Sequence, residues 1–453
     1  MTHRWSVHLL FASTILLTGC GTFGEMNAAT NKSAIAAPQG KSNLKTSFDI
    51  TTDRGSHKKT LVLLALSGGG SRAAYWSGSV MLALEKVYKD DNLNLLKEVD
   101  LISSVSGGSL PAAYYAISQD TGSVDKAPSN RDWDDATVKD LMSRSYITRW
   151  FGNWFWPSNI LRYWFTSYDR SDIMASTLAD NLYDTYITGF DLNVSDINPE
   201  RPYLILNATN GSTDHFGEVF TFTTDQFKDI CSDLGSYDLS RAVMATASFP
   251  AVFNYMTLQN YREGNECKAH TEKPRYVHVF DGGNSDNLGL ASVRKAIDLN
   301  KNRYDRIVVI LVDAYTTSRG VSADVPDARN FLDYAVDFNF VDSSDSLLKI
   351  VRDRSIKEMD ETLSSFDHSK VTFYRIGFDD VKTADAVLYY RLNKIATNFK
   401  IDDDQKKSID RAVEMLIVED NVCLKKIKDI VLLGQSANTD VECNWRPQRT
   451  GNR

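Results

Sequence analysis

The chain has 453 residues, 42% of them hydrophobic and 24% charged, with a formal net charge of -8. That length fits one elaborated α/β domain with leader and tether segments. The acidic balance argues against nucleic acid as a partner and against attraction of the chain as a whole to anionic lipid.

Residues 1–19 read as a secretory leader, because His3 and Arg4 precede an apolar stretch, Val7 to Leu17, that is too short to span a bilayer. It ends in Leu17-Thr18-Gly19-Cys20, a match to the bacterial lipobox, in which the cysteine receives a diacylglycerol thioether and becomes the mature N-terminus. Two or three acyl chains on Cys20 would anchor stably where one does not. Gly21 rather than aspartate follows, which matches the default signal for the outer membrane, so the expected location is the bacterial cell envelope. Residues 20–58 are rich in Ala, Asn, Ser, Thr and Lys without an apolar period, which predicts a flexible tether.

Thr60 to Leu66 is a short, nearly continuous apolar run, as expected of a parallel strand buried on both faces. It ends in Ser67-Gly68-Gly69-Gly70-Ser71-Arg72, and a helix is predicted from Ala73 to Tyr88. Glycines between strand and helix let backbone N–H groups converge beside the positive end of the helix dipole, a nest for a phosphate or an oxyanion. Gly68-x-Gly70-x-x-Ala73 satisfies the dinucleotide fingerprint in form, but the next strand ends in Ser104 and Ser106, not in a ribose-binding acid. No Gly-Lys-Ser/Thr closes a P-loop either. The following strand runs from Leu101 into Ser104-Val105-Ser106-Gly107-Gly108, with a helix predicted over Leu110 to Ile117. A strand-to-helix elbow lifts the Oγ of its apex serine clear of the backbone, which makes Ser106 a candidate nucleophile. The alternative is a small-residue turn that caps the helix. A further strand, Tyr276 to Phe280, leads into Asp281-Gly282-Gly283, read as an aspartate at the C-terminal end of a parallel strand, where sites of open α/β sheets collect.

Together these segments resemble the patatin-like phospholipase family, with its glycine-rich oxyanion loop, G-x-S-x-G nucleophile and D-G-G/A aspartate. By position, Gly68, Gly69, Gly70 and Arg72 match the loop, Ser106 the nucleophile and Asp281-Gly282-Gly283 the aspartate motif. Ala245 to Pro250 looks like the family's small-residue block. Ala73 stands for the last loop glycine and Ser104 for the first elbow glycine. The resemblance spans about residues 60 to 290 and implies an α/β three-layer sandwich with a mostly parallel central sheet. It implies a Ser-Asp dyad of Ser106 and Asp281 with no catalytic histidine, an oxyanion hole at Gly68, Gly69 and Gly70, and a lipid-ester substrate. The expected layout is a catalytic domain over 59–320 with an aromatic-rich helical insertion at about 119–200, and an α/β C-terminal extension over 321–453 packed on the same domain. The alternatives are an esterase for small soluble esters and a non-catalytic lipid-binding envelope lipoprotein.

The residues agree with a dyad, since none of His57, His215, His270, His278 and His368 is well placed for a triad. His278 lies three residues before Asp281 and so points to the opposite face of its strand. Arg72 has three open roles: loop support, substrate phosphate, or a helix-face salt bridge. Further strands are predicted at Tyr203–Asn207, Ile307–Val312 and Val371–Ile376, with helices at Ala291–Leu299 and Gln405–Val418. Cys231, Cys267, Cys423 and Cys443 permit two disulfides in an oxidising compartment, and pairing of sequence neighbours, Cys231 to Cys267 and Cys423 to Cys443, is expected. No metal or cofactor is assigned. Residues 146–168 crowd eight Trp, Phe and Tyr side chains between the flanking tyrosines with arginines among them, either a lid or lipid-interface surface or part of the core.

Overall fold

The computed structural model describes residues 30–34, 44–51, 59–184, 191–250, 252–261, 275–316, 339–366, 370–397, 399–434 and 443. The strands of its main sheet are β1 (Thr60–Leu66), β2 (Leu101–Val105), β3 (Tyr203–Asn210), β4 (Val219–Thr221), β5 (Met256–Gln259), β6 (Tyr276–Asp281), β7 (Arg306–Asp313) and β8 (Val371–Gly377). They lie in the order β8-β7-β1-β2-β3-β6-β5, with β4 paired to β3. The five from β8 to β3 are parallel, and β6 and β5 are antiparallel additions.

The continuous apolar run of β1 has a simple cause. Val62, Leu64 and Leu66 face one hydrophobic core, whereas Leu61, Leu63 and Ala65 face another on the opposite side of the sheet. β7 alternates in the same way, with Val308, Ile310 and Val312 on the first side and Ile307, Val309 and Leu311 on the second. Helices α1 (Gly70–Lys86), α2 (Ser109–Ile117) and α6 (Leu239–Ala247) cover the first side. The second is covered by α7 (Leu290–Asn300) and α8 (Asn339–Ser364), giving three layers. Between α2 and α6 lie α3 (Tyr146–Trp154), α4 (Pro157–Phe165) and α5 (Arg170–Leu178).

Three expectations change. Asp281 does not end a parallel strand, because β6 runs antiparallel to β3 with Asp281 opposite Ala208. The aspartate still reaches the right level, since Val105 is opposite Asn207, one position earlier on β3. The tether is not flexible throughout 20–58. Phe48 and Ile50 are fully buried in the second core, the Lys45 carbonyl accepts from Leu204 N, and Lys32–Ser33 pair with Ser232–Asp233. Two isolated apolar residues give no period to read, yet burying each contributes about 2 kcal/mol, enough to fix a short segment. Finally, the helix expected from Gln405 starts at Asp403, because Asp402 caps it: its carboxylate accepts from Gln405 N at 2.9 Å and its N–H donates back to Gln405 Oε1 at 3.0 Å.

A disulfide joins Cys423 to Cys443. Cys231 is buried, and its expected partner Cys267 lies outside the described residues, as do His57, His270, His368 and the leader with Cys20.

Candidate active site

Ser106 sits immediately after β2 with φ 49°, in the left-handed region that a serine enters only at a cost of about 1–3 kcal/mol. The strain turns its Oγ toward β6, where it donates to Asp281 Oδ2 at 2.9 Å. Helix α2 can follow at once because Gly107 has no side chain: a Cβ there would collide with the Gly70 carbonyl, so the elbow and the β1–α1 loop are in backbone contact.

The two departures from the motif pattern are absorbed by packing. The Ser104 hydroxyl, fully buried, accepts from Ser109 Oγ at 3.1 Å, and Ser109 in turn accepts from Thr246 Oγ1 at 3.1 Å. Ala73 is also fully buried in the first core.

Asp281 is buried, and that loss of solvent pushes its carboxyl up to about 6, although the hydrogen bonds from Gly283 N–H and Ser106 Oγ pull the other way. Gly283 N donates to Oδ1 at 2.7 Å, which leaves Oδ2 to the serine. Thr209 Oγ1 holds the Asp281 carbonyl at 2.7 Å. A carboxylate so placed is a stronger base than one in water, while still ionised at neutral pH.

The sequence reading counts Gly68, Gly69 and Gly70 as oxyanion donors, but the Gly68 N–H donates to the Asn287 carbonyl at 2.9 Å. The available donors are therefore the N–H groups of Gly69, at φ 140°, and Gly70, the first residue of α1, neither of which has a protein partner among the described residues. They stand at the positive end of the α1 dipole. Arg72 is buried, and its guanidinium donates to the Ile395 carbonyl and to Thr397 Oγ1, 3.0 Å away. Of its open roles, these bonds are those of loop support: they tie the first turn of α1 to Ile395 and Thr397, and Thr397 itself lines the site.

Ser106, Asp281 and the glycine loop open into one pocket of about 290 Å³. Its walls are largely apolar, formed by Met142, Met174, Leu178, Met244, Phe253 and Phe399, with Arg144 and Tyr146 also lining it. Among the described residues no histidine lines it: His278 hydrogen-bonds Thr257 Oγ1 at 3.0 Å and His215 pairs with Glu218 on the surface, and burial lowers the affinity of His278 for a proton.

Three contributors were not read from the sequence. Asn287 latches Gly68 and lines the pocket; its signal was the Asn six residues after Asp281, in the same turn. Asn207 Nδ2 bonds Ser103 Oγ and the Ser104 carbonyl, each at 2.9 Å, fixing the end of β2 beneath the elbow. Asp313, at the end of β7, is held by Arg352 at 2.6 Å and Arg375 at 2.8 Å, and the two cations keep its carboxyl far below the usual range despite burial. The next residue, Ala314, donates its N–H to Ser67 Oγ at 2.8 Å, so this buried cluster backs the glycine loop. Arg352 and Arg375 come from elements distant in sequence, and no local pattern announces them.

The family model described as "Patatin-like phospholipase" matches residues 64–294. No curated protein matches the chain. Among solved structures, human GIVD cytosolic phospholipase A2 matches with 13% identity and a TM-score of 0.35, over 55% of this chain and 42% of that one. VipD from Legionella pneumophila matches with 12% identity and a TM-score of 0.30, over 79% of this chain and 66% of VipD. The chain thus spans less than half the length of the human enzyme it matches.

Proposed function

The chain belongs to the patatin-like phospholipase family, and from that premise we propose that it is a lipid acyl hydrolase of phospholipase A or lysophospholipase type, working through a Ser106–Asp281 dyad and held at a membrane by lipid on Cys20. The observation that carries the reading is the 2.9 Å hydrogen bond from a strained serine to a buried carboxylate inside an apolar pocket.

In the reaction, Asp281 takes the Ser106 proton as Oγ attacks the ester carbonyl. The tetrahedral oxyanion forms against the Gly69 and Gly70 amides, each well-aimed donor contributing about 3–4 kcal/mol. Collapse breaks the ester bond, and the proton on Asp281 passes to the departing alkoxide, leaving an acyl-serine. Water then enters, gives a proton to Asp281 and attacks the acyl carbon. The second collapse returns the proton to Ser106 Oγ and frees the fatty acid. The apolar walls would hold the acyl chain throughout.

The reading of an anchor at Cys20 is supported by the Leu17-Thr18-Gly19-Cys20 match; among the described residues no helix is long and apolar enough to cross a membrane. Metabolic labelling with a fatty-acid probe should mark the chain and lose the mark in Cys20→Ala. The catalytic reading is tested by incubating purified protein with mixed phospholipid vesicles and analysing lipids by mass spectrometry. Free fatty acid and the deacylated lipid should accumulate in equal amounts, and neither should form with Ser106→Ala; product formation by that variant would overturn the assignment.

A further inference from the structure

Helices α3 and α4 divide their aromatic residues between two environments. Tyr146 and Trp150 are buried, and Trp150 Nε1 donates to the Arg170 carbonyl at 2.9 Å, so the inner face of α3 is fixed. On the outer side Phe151, Phe155, Trp156, Leu161, Trp164 and Phe165 are between 42% and 72% exposed. No residue of α4 is fully buried, although Tyr163 packs partly against the first core. A nine-residue helix with three large apolar side chains exposed, Leu161, Trp164 and Phe165, has little of the packing that normally sustains one so short.

This surface is continuous with the pocket. Phe399 and Phe253 line the pocket with ring centroids 5.7 Å apart, and Phe253 touches Trp150 at 5.5 Å. Contacts continue from Trp150 to Trp154 at 4.9 Å, to Tyr163 at 5.2 Å and to exposed Trp164 at 6.1 Å.

Its charge is opposite to that of the whole protein. Residues 141–168 contain Arg144, Arg149 and Arg162 and no Asp or Glu, within a chain of net charge -8. Arg144 pairs with Asp140, but among the described residues Arg149 and Arg162 form no ion pair, and both are exposed.

We infer that the α3–α4 face docks on the surface of an anionic phospholipid bilayer and sets the pocket mouth against it. Tryptophan, phenylalanine and arginine without carboxylates are the side chains that headgroup depth favours, with rings below and cations at the phosphates. A second copy of the chain is a poor occupant, since an isologous contact would set this cationic surface against itself. Chain length fits the same plane. Asn31 is pinned to the Gln259 carbonyl at 2.8 Å, at the far end of β5 from the Phe253–Asn254 contacts with Trp150 and Arg170. Residues 254 to 259 span about 17 Å as strand, and the eleven residues from Cys20 to Asn31 reach up to about 36–40 Å. An acyl anchor on Cys20 can therefore enter the bilayer that the ridge touches.

The inference rests on the lipid-ester reading only for its choice of partner, and binding is measurable without turnover. The mature chain from residue 20 with Cys20→Ala and Ser106→Ala, which carries no leader, lipid anchor or nucleophile, would be mixed with phosphatidylcholine vesicles with and without phosphatidylglycerol. Co-sedimentation should favour the anionic vesicles, weaken with salt, and be accompanied by a blue shift of tryptophan emission. Adding Trp156→Ser with Trp164→Ser should weaken binding about tenfold, and Arg149→Gln and Arg162→Gln about fivefold each. These side chains are exposed, and an unchanged far-UV spectrum confirms the fold. With Ser106 restored, the tryptophan pair variant should keep its turnover of a soluble short-chain ester within about twofold while losing about tenfold on vesicles. Unchanged vesicle binding in the tryptophan variant, no binding by the parent, or a parent dimer that the substitution dissociates would each overturn the proposal. Absence of turnover on any ester, with binding intact, would instead count against the catalytic reading.

Discussion

Ser106 and Asp281 meet at 2.9 Å, yet each is made reactive at a different kind of cost. At the elbow the cost is conformational: a non-glycine residue is held at φ 49° by a tight strand-to-helix turn whose neighbours are glycines. At the end of β6 it is electrostatic: a carboxylate is buried with no cationic partner among the described residues, so its proton affinity rises to about 6. Asp313, equally buried, shows the contrast within one molecule, because Arg352 and Arg375 drive its carboxyl in the opposite direction. A buried carboxylate paired with two arginines is a structural clamp, whereas one paired with a serine hydroxyl and an amide is a base.

The electrostatic half breaks most sharply with Asp281→Asn, which keeps the shape and removes the proton acceptor. Turnover should fall by about three orders of magnitude or more, while stability at neutral pH rises. The sign follows from the raised value. As pH climbs, the unfolded carboxyl ionises first, near 3.8, and the folded one only near 6, so this group's contribution falls between those values and is flat above them. Removing the charge should restore on the order of 1–3 kcal/mol at pH 7, read by chemical denaturation. An Asn variant that is both inactive and less stable would mean that Asp281 is held by interactions that favour its charge.

The conformational half breaks with Ser106→Gly. Both it and Ser106→Ala should be inactive, but the glycine variant should be the more stable of the two by about 1 kcal/mol, because only it relieves the positive φ. Equal stabilities in calorimetry would remove strain from the account. Gly107→Ala should cost activity by pushing the elbow against the Gly70 carbonyl, while Ser106 and Asp281 themselves are intact; parent-like activity would show that the contact can open.

Smaller effects are expected away from the dyad. His215→Gln and His278→Gln should each leave activity within about twofold, since neither histidine lines the pocket. Loss in either comparable to Ser106→Ala would restore a triad. Cys423→Ser should lower stability by about 3 kcal/mol in the chain-entropy model, with little change in activity, because the bridge lies in the C-terminal part of the chain.

What could be read from the sequence depended on how local the cause was. β1 was legible in full because burial on both faces leaves a continuous apolar run, and the elbow was legible because strand, serine and glycines are adjacent. The Asp281 motif was visible but its strand direction was not, since pairing partners are set by topology and a strand of either direction can carry the same residues. Gly68 looked like a third donor because its engagement comes from Asn287, more than two hundred residues later. The fully buried apolar residues that dock 44–51 are Phe48 and Ile50, too few for a period, and its backbone bonds, such as that from Leu204 N–H to the Lys45 carbonyl, leave no mark in the sequence. The aromatic segment read as core or surface is both, inner face packed and outer face exposed, which helical spacing permits and composition does not reveal.

The central claim, that Asp281 is the base for Ser106, is tested most directly by the rate at which a fluorophosphonate labels Ser106 as a function of pH, followed by peptide mapping. The account predicts a single-proton rise with a midpoint near 6, a plateau above it, and labelling slowed by orders of magnitude in Asp281→Asn. Labelling of Asp281→Asn at the parental rate, or a midpoint that disappears when a histidine is replaced, would contradict it.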